Sequence, residues 1–221
     1  MKKGLTEIVC ILDRSGSMSH LTTDTIGGFN TFLKEQKEVE GEARLSLVLF
    51  DDEYDLLFDH VDIQSVEELT DKTYFARGNT ALFDAIGRTI NAVGERLKKT
   101  EEDERPEKVI FVITTDGHEN ASTEFTEKSQ IKDMIDHQEE KYSWEFIYMG
   151  ANQDAIAEGS TFGIKAGRAM NFIADSEGVG SSYQVMRSCV TNYRNNGNAT
   201  IDTTGLEGVN TDSGTGASSG K

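Results

Sequence analysis

Two runs of apolar residues, each stopping at a short polar loop that contains an aspartate, constrain this chain more than any other feature. Ile8-Val9-Cys10-Ile11-Leu12 ends at Asp13-Arg14-Ser15-Gly16-Ser17-Met18, and Val109-Ile110-Phe111-Val112-Ile113 ends at Thr114-Thr115-Asp116-Gly117. Runs of this length without a polar interruption read as buried strands. Around them helix and strand patterns alternate. Ile26, Phe29 and Leu33 share one face of a helix over residues 23–39, and Leu82, Ile86, Ile90, Val93 and Leu97 share one face of a helix starting near Thr80. Leu45, Leu47 and Leu49 mark a strand, and the turn at Asp51-Asp52-Glu53 returns it as a hairpin over residues 54–60. Further helices are expected over 126–137, from 154 and over 181–194, with strands over 144–149 and 168–172. This alternation predicts the α/β class: a doubly wound, mostly parallel sheet with one antiparallel strand and helices on both faces.

The chain has 221 residues, enough for one substantial domain. That domain is expected over residues 1–194. Residues 195–221 turn to Asn, Gly, Thr and Ser and are expected to form a flexible tail, because they offer too little apolar surface to offset the entropy of ordering. With 22 basic against 39 acidic side chains the net charge is -17, which repels phosphate backbones and anionic lipid surfaces and argues against nucleic acid and membrane as partners. Cys10 and Cys189 fit two buried thiols rather than a disulfide framework. With no secretory h-region behind Met1-Lys2-Lys3-Gly4, the expected location is the cytoplasm.

In a doubly wound sheet the carboxyl ends of parallel strands share one crevice, so Asp13 and Asp116 should lie close together. Thr80 stands immediately before the second long helix, at the same edge. Three loops would thus gather two carboxylates and the hydroxyls of Ser15, Ser17 and Thr80, an all-oxygen set that suits a hard divalent cation. The set resembles the von Willebrand factor type A family, whose metal-ion-dependent adhesion site combines an Asp-x-Ser-x-Ser motif with a distant Thr and a distant Asp. Here these are Asp13-x-Ser15-x-Ser17, Thr80 and Asp116, and the resemblance extends over roughly residues 5–194. The stretches 116–120 and 150–155 look like those of small intracellular bacterial members.

The resemblance implies Mg²⁺ or Mn²⁺ at these five residues, with one position left for a carboxylate. That carboxylate would come from an Asp or Glu of a protein partner, in a binding module without catalytic residues that can also serve as a subunit of a larger complex. Two other classes compete: a metal-dependent hydrolase acting on phosphoesters, for which no nucleophile or base stands out beyond the ligands, and a scaffold in which the ion only fastens loops. The remaining polar features have plainer readings. Asp84 suits the dipole in a helix's first turn, and His118 reads as a solvated loop residue. Asp51-Asp52-Glu53 lacks the glycine and spacing of a calcium loop and reads as a solvated turn. Gly27-Gly28 is expected to let the first helix lie close to the sheet.

Overall fold

The computed structural model describes residues 1–151, 155–165 and 167–210. Seven strands form one sheet in the order β3-β2-β1-β4-β5-β6-β7. These are β1 (Lys2–Asp13), β2 (Glu42–Phe50), β3 (Tyr54–Asp62), β4 (Pro106–Thr115), β5 (Glu145–Ala151), β6 (Ala169–Phe172) and β7 (Val209–Asn210). Strands β2, β1, β4, β5 and β6 run parallel. The hairpin strand β3 is antiparallel, as expected, and the two-residue β7 adds a second antiparallel edge against β6. Among the described residues five α-helices complete the fold: α1 (Thr22–Glu38), α2 (Leu82–Lys99), α3 (Lys128–Tyr142), α4 (Ala155–Thr161) and α5 (Ser176–Asn196).

Alternation along β1 divides the core. Ile8, Cys10 and Leu12 pack with Phe29, Phe32 and Leu33 of α1 and with Val179, Tyr183 and Met186 of α5. Val9 and Ile11 face the other layer, with Ile86, Ile90 and Val93 of α2 and Ile131 and Ile135 of α3. Each fully buried phenylalanine, such as Phe29 or Phe111, contributes roughly 2–3 kcal/mol relative to exposure. Because β2 lies on one side of β1 and β4 on the other, the connections diverge there. The crevice of the sheet therefore opens at the carboxyl ends of β1 and β4.

Several expectations are corrected. The glycine pair on α1 does not bring that helix to the sheet: a Cβ at Gly28 would overlap the Tyr183 ring, so the close approach is between α1 and α5, and nothing lies within 4 Å of a Cβ at Gly27. Helix α5 begins at Ser176, earlier than expected, with the Asp175 carboxylate accepting from Gly178 N–H at 2.8 Å. The domain does not stop at residue 194. Ala199 and Ile201 are buried in the core, the Cys189 thiol donates to the Ala199 carbonyl at 3.1 Å, and Ile201 N–H donates to the Gly167 carbonyl at 2.8 Å. Residues 195–210 thus return to the sheet as far as β7 instead of forming a tail, while 211–221 lie outside the described residues. So do residues 152–154, which include the expected start of the short helix and part of the 150–155 stretch. Cys10 and Cys189 are free and buried. No described helix is long and apolar enough to cross a membrane.

Candidate metal centre

Strand register brings the two aspartates together. Leu12 of β1 pairs with Thr114 of β4, so Asp13 arrives beside Thr115, and Asp116 is the first residue beyond β4. Asp13 is held at three points. Its carbonyl accepts from the Tyr74 hydroxyl at 2.6 Å, one carboxylate oxygen accepts from Ser15 N–H at 2.6 Å, and the other accepts from the Thr115 hydroxyl at 2.5 Å. After Ser15 the chain turns into a short 3-10 helix, Gly16–Leu21, which carries Ser17 back over the strand end. The Ser15 and Ser17 hydroxyl oxygens are 3.0 Å apart, and Ser17 donates to the Asp116 carboxylate at 2.5 Å.

Thr80 joins this set from the loop before α2. Its N–H donates to the Asn120 side-chain oxygen at 2.9 Å, and its carbonyl accepts from Asn120 N–H at 3.0 Å. A Cβ placed on Gly117 would lie 2.9 Å from the Thr80 hydroxyl and 3.6 Å from the Ser17 hydroxyl, so both oxygens border the small space that Gly117 leaves open. Asp13, Ser15 and Thr80 are buried, Asp116 is half-buried, and Ser17 is exposed. All five residues expected from the sequence therefore converge at one sheet edge, with an opening to solvent on the Ser17 side.

The electrostatics are unusual for a buried site. Burial pushes the Asp13 carboxyl up to about 6; hydrogen bonds from Thr115 and Ser15 oppose the shift, and the charge of Asp116 adds to it. Asp116 is raised as well, by burial, against the Ser17 hydrogen bond and the nearby His20. Among the described residues neither aspartate makes an ion pair. Arg14, which sits between Asp13 and Ser15 in sequence, points away and pairs with Asp51 at 3.0 Å and Asp55 at 3.1 Å. Two carboxylates are thus held together by neutral donors, an arrangement that favours a bound cation. Among the described residues no group of three or more His, Cys, Asp or Glu side chains is placed to hold a metal ion, so the donor set here is mixed carboxylate and hydroxyl. Two carboxylates with neutral oxygens fit Mg²⁺ or Mn²⁺ rather than a thiolate or imidazole metal.

Other residues build the site without signalling it in sequence. Thr115 was legible only as a polar strand end, and Asn120 only as the last residue of the 116–120 stretch. Asp84 does more than suit the helix dipole: it is lowered in pKa although its burial opposes this, because N–H groups of Phe125, Thr123 and Glu124 converge on its carboxylate at 2.8, 3.0 and 3.0 Å. It therefore fastens the 123–125 loop to α2. Glu119 similarly accepts from Phe83, Ala121 and Ser122 N–H groups, binding the loop after Asp116 to the start of α2. His118 is exposed, as expected for a solvated loop residue.

The sequence matches the family model of the von Willebrand factor type A domain over residues 7–182. Among solved structures, proximal thread matrix protein 1 from the mussel byssus, in a form described with a zinc-occupied MIDAS motif, superposes with a TM-score of 0.58 at 14% identity, covering 84% of this chain and 46% of that one. A von Willebrand factor type A protein from Catenulispora acidiphila gives 0.55 at 13% identity, covering 85% and 42%. The manganese-loaded TRAP protein of Plasmodium vivax gives 0.50 at 17% identity, covering 68% and 58%. The chain thus spans about half the length of these proteins, and at such identities the likeness is one of fold. No curated protein matches significantly.

Proposed function

The chain belongs to the von Willebrand factor type A domain family, and from that premise we propose that it is a metal-dependent protein-binding module. Its site is Asp13, Ser15, Ser17, Thr80 and Asp116, and its ion is Mg²⁺ or Mn²⁺. One observation carries the reading: two carboxylates are drawn together at the strand ends by hydroxyls, with no cationic side chain among the described residues paired to either. The zinc and manganese named for the mussel and Plasmodium proteins support a divalent ion in this fold. A bound divalent ion supplies an open coordination position to a carboxylate from outside. The chain's own residues do the rest: Ser15, Ser17 and Thr80 offer neutral oxygens that leave the ion's charge largely uncancelled, and Thr115, Tyr74 and Asn120 hold the donors in place.

The partner under this reading presents an Asp or Glu side chain. Because the chain carries a net charge of -17, that carboxylate is best presented from a basic surface, which the long-range field attracts. The two buried thiols support a reducing, cytoplasmic setting. No catalytic group is required. The test is affinity capture by the immobilised protein with Mg²⁺, with EDTA, and with Asp13→Asn in place of the wild type. Partners retained only by wild type with Mg²⁺, and lost again when their liganding carboxylate is replaced by an amide, bear the reading out. Equal retention in all three arms overturns it.

A further inference from the structure

We propose that the acidic turn Asp51-Asp52-Glu53 is a positioning device for Thr80, and through it for the cation site; this rests on the metal reading above. The turn joins β2 to β3 and lies far from Thr80 in sequence, yet it holds nearly the whole loop that carries Thr80. The Asp51 carbonyl accepts from Ala81 N–H at 3.0 Å. The Asp51 carboxylate accepts from Arg77 Nε at 2.6 Å, and Glu53 accepts from the same guanidinium at 2.5 Å. Asp52 accepts from Asn79 N–H. Gly78 adopts φ +67°, and a Cβ there would overlap the Asp52 carboxylate; the glycine admits both the backbone conformation and the close approach.

The turn is itself rigid. Asp51 N–H donates to the Glu53 carbonyl at 3.1 Å, and Glu53 N–H donates to the Asp51 carboxylate at 2.6 Å. Asp51 is almost fully buried at 1% exposure, and Arg14 and Arg77 both pair with it. Asp52 and Glu53 are exposed, as expected of a solvated turn, but Asp51 is withdrawn from water and anchors an ion-pair cluster. The same loop is laced to the ligand-bearing segment: Gly16 N–H donates to the Gly78 carbonyl at 3.0 Å, and Arg77 N–H donates to the Arg14 carbonyl at 2.8 Å.

Residues 77, 78, 79 and 81 are thus spoken for by the turn or by the Asp13 loop, while the Thr80 backbone is clamped by Asn120. What remains to Thr80 is its hydroxyl, beside Gly117. Mg²⁺ demands oxygens at about 2.0–2.1 Å, so a loop displaced by a fraction of an ångström forfeits the Thr80 contribution while leaving Asp13 and Asp116 in place.

The experiment is Mn²⁺ binding by calorimetry to the wild type, Asp52→Ala, Thr80→Ala and the double variant. Because Asp52 is exposed, Asp52→Ala removes the acceptor for Asn79 N–H without opening the core; Glu53→Ala is the second variant. The expected result is about a tenfold loss for Asp52→Ala, in the range found for groups that orient metal ligands. The double variant should bind no more weakly than Thr80→Ala alone, and Asp52→Asn, which keeps an acceptor oxygen, should restore affinity. In EDTA, amide exchange of Asn79 and Ala81 should quicken in Asp52→Ala. Losses that add in full in the double variant, or undiminished affinity in Asp52→Ala and Glu53→Ala, overturn the positioning role while leaving the metal reading intact. A wild type that binds no Mn²⁺ overturns the metal reading and this one with it.

Discussion

Glu7 and Asp13 stand on the same strand, with side chains on the same face of it, and both are buried, at 0% and 1% exposure. Their surroundings differ in kind. Glu7 is answered by Arg96 at 2.6 Å, by His60 Nδ1 at 2.5 Å and by the Ser46 hydroxyl at 3.0 Å. Among the described residues the Asp13 carboxylate meets neutral donors, the Ser15 N–H and the Ser15 and Thr115 hydroxyls, with a second carboxylate nearby. A buried carboxylate is tolerated when something balances it. At Glu7 the chain supplies that cation and ties β1, β3 and α2 together. At Asp13 none of the described residues supplies one, and the adjacent Arg14 pairs with Asp51 instead. Under the proposed function, the contrast separates a carboxylate that holds the fold from one that is kept for a cation from solution.

The largest effect that would sharpen this contrast is expected at the first carboxylate. Arg96→Met should strand Glu7 with only His60 and Ser46, costing about 3 kcal/mol of stability. Asp13→Asn, measured in EDTA, should cost less than about 1 kcal/mol or even stabilise, since it removes an unbalanced buried charge. Urea denaturation of both variants gives the comparison, and equal losses would break it. Next in size, Mg²⁺ at about a hundredfold over its dissociation constant should stabilise the wild type by about 2.7 kcal/mol and leave Asp13→Asn unmoved, read as a shift in the urea midpoint.

Acidity offers a third probe. With its pKa raised to about 6 from the ordinary 3.8, Asp13 keeps a proton in the folded chain at pH values where the unfolded chain has released it. The metal-free protein should therefore lose stability as pH rises from about 4 to about 6 and lose no more on this account above that. The difference between wild type and Asp13→Asn across this range, in EDTA, isolates the contribution; a difference that does not change with pH contradicts it. The smallest effect is expected from Thr80→Ala, about tenfold in metal affinity or ~1.4 kcal/mol, because both aspartates remain. A calorimetric titration that finds no change would remove Thr80 from the set.

The fold was legible where apolar residues come in runs or at regular intervals. Strands β1 and β4 and helix α2 show themselves that way. The return of residues 195–210 was not, because Ala199 and Ile201 are single apolar residues in a stretch of Asn, Gly and Thr, and isolated residues carry no period. The first turn of α5 was hidden for a related reason: Gly178 and Gly180 read as loop until the Asp175 cap is seen.

At the site, the five oxygen-bearing residues were legible because they end strands or precede a helix in a known order. The support around them was not. Arg14 and Asp51, or Thr80 and Asn120, meet only through the crossing of β1 between β2 and β4, and no local spacing announces such a pair. Asp51 was misread as solvated for the same reason, since its partners Arg14 and Arg77 are brought to it by the sheet and not by the adjoining sequence.

The most direct measurement is a calorimetric titration of Mg²⁺ and Mn²⁺ into wild type and Asp13→Asn, each first shown to be folded by its far-UV spectrum and urea transition. The account predicts one divalent ion per wild-type chain and no measurable binding to the folded variant. Undiminished affinity in folded Asp13→Asn, or a wild type that binds neither ion, would contradict it.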